Sequence, residues 1–306
     1  MKILIVASYN KGSFSPFIVE QANALAQQGC VVDYLGIQGK GFVGYLKNYS
    51  SLRVKIKQFQ PDIVHAHYGL SGLFANLQRK VPVVTTYHGS DINDKKVILF
   101  SRFAMELSAW NIFVSRKICE IAKPKKKYSI CPCGIDLTVL QLTEKAEARM
   151  RLGLSKEKKY VLFSGAFDNS VKNYSLAKAS IEELHDDNVE LIELKGYLRE
   201  EVVLLMCAVD AFLMTSFSEG SPQVVKEALA CGCPIVSVDV GDVKERVEGV
   251  AGCFVASDYD TTELGGLLRQ ALTFGGRTNG RERIVRDELD NRKVAENLVS
   301  IYESVL

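Results

Sequence analysis

The chain has 306 residues, 47% hydrophobic and 24% charged, a composition that excludes disordered and fibrous classes. The length exceeds one ordinary domain, and two domains of about 150 residues would each hold a real core. Net charge is +2, but residues 1–150 carry 20 Lys+Arg against 10 Asp+Glu (+10), and the remainder 18 against 26 (−8).

"KILIVAS" opens the chain as a strand, followed by a loop containing Gly12 and Ser13. The amphipathic segment "PFIVEQANALAQQG" has Pro16 in its first turn and Gly29 as its stop, the asymmetry expected of a helix. "VVDYLG", "DIVHAH", "PVVTTYH" and "NIFVS" read as further strands with helical segments between them. Such a βαβα order implies a parallel sheet covered on both faces. Of His65 and His67, read as alternating in direction along their strand, at least one is expected to be packed structurally. His88 ends a strand and precedes Gly89, which permits close approach. Asp91 either caps the next helix or orients this loop, and capping is the simpler role.

The rhythm restarts after a charged, strand-poor stretch, residues 143–159. "KYVLFSGAF", "VELIELKG", "DAFLMTS", "PIVSVD" and "GCFVAS" form the second strand series. Two doubly wound α/β domains are therefore expected, 1–142 and 143–306, with the last helix able to pack back on the first. Ligands of open parallel sheets bind beyond the carboxyl ends of the strands, so two such domains facing each other would form a cleft. No G-x-G-x-x-G follows the first strand, so a dinucleotide cofactor, and with it a dehydrogenase, is disfavoured.

Eight cysteines are scattered, and the close pairs Cys131/Cys133 and Cys231/Cys233 are C-x-C without a histidine at ligand spacing. They read as reduced, buried thiols. Asp258-Tyr259-Asp260 has the form of a D-x-D metal motif, but lies between a short strand and a helix, where a helix-initiating turn is the simpler reading. No metal and no resident cofactor are expected.

The most informative stretch is "FSEGSPQVVKEALACGCPIVSVD", residues 217–239. After the strand "DAFLMTS", Ser221 and Pro222 look like the N-cap and first residue of a helix. The amino end of such a helix carries about half a positive charge and attracts phosphate, and Gly220 removes a blocking side chain. Glu227 sits inside the helix among small and apolar residues, with no basic residue at i+4. Two adjacent ribose hydroxyls would supply the donors it needs. Glu219, in the loop, could hold hydroxyls of a second sugar.

"EGSPQVVKEALACGCPIV" resembles the E-x7-E signature of the family 4 retaining glycosyltransferases, which have the GT-B fold of two Rossmann-like domains, and the resemblance covers nearly the whole chain. It implies that Glu227 binds the nucleotide ribose and Glu219 the donor sugar. "LFSGAFDNSVKNYSLAKASI" falls at the family's diphosphate site, which makes Lys172 a phosphate contact. Two departures stand there: Ala166 replaces the usual arginine, and Asn173 a common glycine. The resemblance also places Gly12 and Ser13 at the phosphates and His88 at the donor sugar near the reaction centre. In "CPCGIDL", Cys133 occupies a position usually held by asparagine.

The implied activity is metal-independent, retaining transfer of a hexosyl group from a nucleotide diphosphate sugar, of UDP or GDP type, to a glycan or lipid-linked acceptor in polysaccharide assembly. Base contacts are expected near Gly196 and Tyr197. The alternatives are a sugar-nucleotide epimerase of the same fold and a non-catalytic nucleotide-sugar-binding protein. The basic first half adds an expected anionic membrane surface, while nucleic acid is not expected because no binding motif accompanies the charge. With no apolar run of about 18 residues and no signal-like start, the expected location is cytoplasmic, peripheral at the inner face of the membrane.

Overall fold

The computed structural model describes residues 1–306 as two units. The first comprises Met1–Ile135 with Leu289–Leu306, and the second Asp136–Glu288. The division thus falls before the expected 142/143 boundary, and the last 18 residues return to the first unit.

The first unit runs β1 (Lys2–Ser8), α1 (Pro16–Gln27), β2 (Val31–Ile37), α2 (Gly41–Leu46), α3 (Tyr49–Phe59), β3 (Ile63–His67) and α4 (Gly69–Asn76). It continues with β4 (Val83–Tyr87), α5 (Ser90–Asn93), α6 (Ile98–Leu107), β5 (Trp110–Phe113), α7 (Arg116–Ala122) and β6 (Tyr128–Ile130). The six strands are parallel in the order β2-β1-β3-β4-β5-β6. Ile3 through Val6 of β1 are wholly buried, as expected for a strand covered on both faces. The edge strand β6 was not anticipated, because its three residues follow a lysine run and carry no hydrophobic pattern.

The second unit runs α8 (Lys145–Leu152), β7 (Lys159–Phe163), a 3₁₀ turn (Ser170–Lys172), α9 (Tyr174–Glu182), β8 (Val189–Glu193), α10 (Arg199–Ala208) and β9 (Ala211–Met214). There follow α11 (Gln223–Ala230), β10 (Ile235–Val238), α12 (Val243–Val247), β11 (Phe254–Ala256), α13 (Thr261–Thr273) and α14 (Gly280–Arg286). Its five parallel strands are ordered β11-β10-β9-β7-β8. In both sheets every crossover is helical, so the loops leaving the carboxyl ends of the strands gather on one edge.

The last helix, α15 (Asn291–Glu303), packs on α1: Val294, Ala295, Leu298 and Tyr302 are buried in one cluster with Ile18, Ala22 and Leu25. This helical spacing puts one apolar stripe against the core. Burying those four side chains favours docking by several kcal/mol at about 25 cal/mol per Å². Ile135 pairs with Asp290 in a parallel bridge beside the junctions of the first unit.

Candidate active site

In the second unit, β9 delivers the chain into the loop Thr215–Pro222, and that loop is tied to the 3₁₀ turn. Thr215 Oγ1 donates to the carbonyls of Lys172 (2.9 Å) and Asn173 (3.0 Å), and Phe217 N–H to that of Val171 (2.9 Å). These bonds bring together residues far apart in sequence. Lys172 Nζ reaches Glu219 Oε1 at 2.7 Å. The lysine side chain passes over Gly165, where a Cβ would lie 3.0 Å from Lys172 Cγ. Asn173 adopts the left-handed conformation (φ 55°, ψ 56°), which asparagine tolerates better than most non-glycine residues.

Glu227 is buried on α11, and the donor it needs comes from Arg199 at the start of α10, whose guanidinium pairs with Glu227 Oε1. The spacing along α11 predicted no cationic partner; the partner lies 28 residues earlier, where one-helix spacing cannot reveal it. A cation in a helix's first turn runs against the macrodipole, and that anomaly was the available signal. The pair orients the carboxylate before any ligand arrives.

Ser221 does not cap α11. Pro222 holds the N-cap position, and Ser221 Oγ donates instead to Asp242 Oδ2 at 2.8 Å. The same oxygen accepts from Arg246 Nε at 3.0 Å. Burial pushes the Asp242 carboxyl up, while the charges of Lys226 and Arg246 oppose that shift. Beside it, Gly241 has φ +57°, and a Cβ there would lie 2.8 Å from the Gly220 carbonyl oxygen. Gly241 thus lets the loop after β10 lie directly on the Glu219-Gly220 backbone. Sequence reasoning missed Arg199, Gly241 and Asp242; the glycine after "PIVSVDV" was a readable signal of close backbone approach.

In the first unit, Gly12 (φ +75°) and Ser13 form the exposed turn after β1, where Gly12 N–H bonds the Tyr9 carbonyl at 3.1 Å. His88 follows β4, half-buried between Tyr68 (ring centroids 4.5 Å) and Phe17 (4.9 Å). Asp91 is not a cap of its own helix. Its Oδ1 accepts from the amides of His88 and Gly89 (both 3.0 Å), and Oδ2 from Gly69 N–H at 2.9 Å. It therefore fixes the His88 loop and the first turn of α4, and burial pushes its carboxyl up to about 6 despite those bonds. His65 and His67 lie on one face of β3, not alternate faces, because residues i and i+2 share a face; their rings stack at 4.5 Å. Both are buried.

A cleft of about 490 Å³ opens beside the Gly12-Ser13 turn, lined by Ser8, Asn10, Lys11, Tyr68, Ser90 and Asp94 among others. A larger groove, about 640 Å³, lies near the amino ends of β3 and β4 around Arg53, Lys57 and Lys80. We place the chemistry at the first, because strand carboxyl ends carry the ligand loops of such sheets.

Residues 16–139 match the model for Glycosyltransferase Family 4, and residues 169–273 match that for Glycosyl transferases group 1. Both halves of the chain are thus similar to glycosyltransferases. Among relatives of the chain, TuaC of Bacillus subtilis, named for teichuronic acid biosynthesis, is 30% identical over 219 residues. That alignment covers 62% of this chain and 56% of TuaC, so the chain spans little more than half the length of this relative. Sucrose-phosphate synthase from Thermosynechococcus elongatus shares the fold at a TM-score of 0.84 and 17% identity, over 100% of this chain and 99% of that one. HepE of Anabaena, solved in complex with UDP, aligns with a TM-score of 0.74 and 16% identity over 99% and 100%. The fold is GT-B.

In the second unit, Asp260 caps α13 by accepting from Glu263 N–H at 2.7 Å, so the D-x-D triplet is a helix-initiating turn. Cys133, at the usual asparagine position, is buried with Sγ 3.9 Å from His88 Nδ1. All eight cysteines are free thiols. Ala166 offers no charge where a second diphosphate cation is usual, which leaves Lys172 as the cation of that segment nearest Glu219.

Proposed function

We propose that this protein is a metal-independent, retaining glycosyltransferase that moves a hexosyl group from a nucleoside diphosphate sugar to a hydroxyl of a glycan or lipid-linked acceptor in polysaccharide assembly. The observation that carries the reading is the Lys172–Glu219 pair at 2.7 Å on the loop that leads into α11, the helix bearing Glu227. One ammonium for a diphosphate, one carboxylate for sugar hydroxyls and one for a ribose diol stand on a single β-strand-to-helix connection and the turn bound to it.

In this reading Glu227 accepts from the ribose hydroxyls, and Lys172 with the amides around Gly220, Ser221 and Pro222 stabilises charge growing on the leaving diphosphate. Asn173 shapes the turn that presents Lys172. Glu219 and His88 hold the donor sugar, and the Gly12-Ser13 turn serves the phosphates. The C1–O bond to the diphosphate breaks as the acceptor oxygen bonds to C1 on the same face, and the acceptor proton passes to a donor phosphate oxygen. No protein group needs to act as base. The hydroxyl-rich cleft by Tyr68 and Asn10 suits a sugar acceptor.

The basic first unit is the part we assign to an anionic membrane surface. There α6 exposes Leu99 and Phe103 beside Arg102, and α2 exposes Val43 between Lys40 and Lys47. Such a face gains both buried apolar area and about 1 kcal/mol per basic residue near anionic lipid. Sedimentation with anionic vesicles at low salt is expected to bring the protein down; recovery in the supernatant would remove this part of the reading.

The test of function is nucleoside diphosphate release from a panel of UDP and GDP sugars with glycan acceptors, in the presence and absence of EDTA. Acceptor-dependent release, with retained anomeric configuration and undiminished by EDTA, is expected. Binding without release would favour a nucleotide-sugar-binding protein, and conversion of the free donor an epimerase.

A further inference from the structure

Behind His88 the first unit contains two buried histidines, His65 and His67, that the proposed mechanism leaves unused. Tyr302 of α15 places its hydroxyl 2.6 Å from His65 Nδ1, and His65 Nε2 lies 2.8 Å from Thr86 Oγ1. The His65 ring stacks on His67 (4.5 Å), and His67 stacks on His88 (5.3 Å) with His67 Nδ1 3.0 Å from His88 Nε2. His67 Nε2 is buried and has no hydrogen-bond partner.

Proton positions follow from these contacts. Burial keeps the Tyr302 phenol protonated and so able to donate to His65 Nδ1; in that arrangement His65 carries its own proton on Nε2, directed at Thr86. Burial also holds His67 neutral. Were its proton on Nε2, an N–H would be buried without an acceptor, which native structures rarely tolerate. With the proton on Nδ1, only a lone pair is left bare and the N–H has His88 Nε2 to bond.

We propose that His67 is a positioning residue that donates from Nδ1 to His88 Nε2 and so holds His88 as its Nδ1–H tautomer. His88 then presents an N–H donor, not a lone pair, at Nδ1, on the side where Cys133 Sγ stands at 3.9 Å. An oxygen of a sugar suits that donor. This use of the tautomer rests on His88 touching the donor sugar, as proposed above; the tautomer itself does not.

The test is long-range ¹H–¹⁵N correlation of the imidazole rings in the full-length protein labelled on histidine, where four rings have to be assigned. The expected pattern is a proton on Nδ1 of His67 and His88 and on Nε2 of His65. His67→Asn puts an amide donor where Nδ1 stood, and should keep the His88 tautomer and hold turnover within about threefold of the parent. His67→Leu removes the donor, and should shift His88 toward Nε2–H and lower kcat by about tenfold or more, with less change in donor KM. A His88 proton on Nε2 in the unsubstituted protein, or an unchanged His88 tautomer in His67→Leu, would overturn the proposal. If no sugar nucleotide is turned over, the functional reading fails, while the spectrum of the unsubstituted protein still decides the tautomer.

Discussion

Lys172 Nζ and Glu219 Oε1 meet at 2.7 Å although 47 residues separate them, and each side chain is only 18% exposed. In this arrangement the lysine already faces a carboxylate, which an entering diphosphate must share or displace. The two side chains therefore have opposite effects on the product. Lys172→Ala should lower kcat by about 10²–10³-fold through loss of transition-state charge stabilisation. Glu219→Gln should lower turnover too, yet tighten nucleoside diphosphate binding by about threefold or more, because a competing negative charge is gone. Steady-state kinetics and calorimetry with the diphosphate check both; weaker binding to the glutamine variant would contradict the assignment.

Glu227 is buried and Arg199 a third exposed, so the two partners respond unequally to removal. Arg199→Ala should cost about 1–2 kcal/mol of stability by leaving a buried carboxylate short of a donor. Glu227→Ala should cost less stability but weaken donor binding by about tenfold or more, since ribose loses its acceptor. The double variant should be more stable than the sum of single losses predicts. Thermal unfolding and donor titration together test this cycle.

Gly241 is expected to be intolerant of even one added carbon. Its φ of +57° strains any L side chain, and the Cβ would meet the Gly220 carbonyl oxygen at 2.8 Å. Gly241→Ala should cost about 1–3 kcal/mol and push the Glu219-Gly220 backbone aside. A donor KM raised in a variant that still folds would tie the loop after β10 to the site; an unchanged KM would show that the loop bears no strain.

Stability should fall as the solution is acidified below about pH 6.5. Burial holds His65 down from 6.5 to about 3, so between those values the unfolded chain binds a proton that the folded chain refuses. Stability from this residue is complete above 6.5 and is lost as pH falls toward 3. Buried His67 acts in the same direction. Asp91 acts oppositely: raised from 3.8 to about 6, it binds its proton more readily when folded, and its contribution is lost as pH rises through that window. Asp242, whose carboxyl burial also pushes up, acts with Asp91; the two histidines, of which His65 alone is held down to about 3, outweigh the two carboxyls and leave acidification destabilising. Urea unfolding at pH 7, 6 and 5 should show a falling midpoint, and the fall should be smaller in His65→Gln.

Much of the fold was readable because the central parallel strands are buried on two faces and so appear as apolar runs; "KILIVAS" and "DAFLMTS" are examples. The three-residue edge strand β6 lacks that run and escaped notice. That Glu219, Gly220 and Glu227 lie on one strand-to-helix connection was legible because they are close in sequence. Ser221 was misread as a cap, since its actual partner, Asp242, belongs to the next βα loop. Asp91 was misassigned for a similar reason: its carboxylate reaches Gly69 across the sheet edge.

Hydrophobic period and glycine placement by themselves determined two doubly wound domains, and the spacing of Glu219 and Glu227 determined which loop to inspect. These are local properties, set by a strand's two-residue repeat and by what a helix terminus lacks. Pairing of Lys172 with Glu219, of Glu227 with Arg199 and of His67 with His88 was decided only by the tertiary structure. Each joins groups 21 to 47 residues apart, and the energy of a buried charge or ring depends on the neighbour that folding supplies rather than on its distance along the chain.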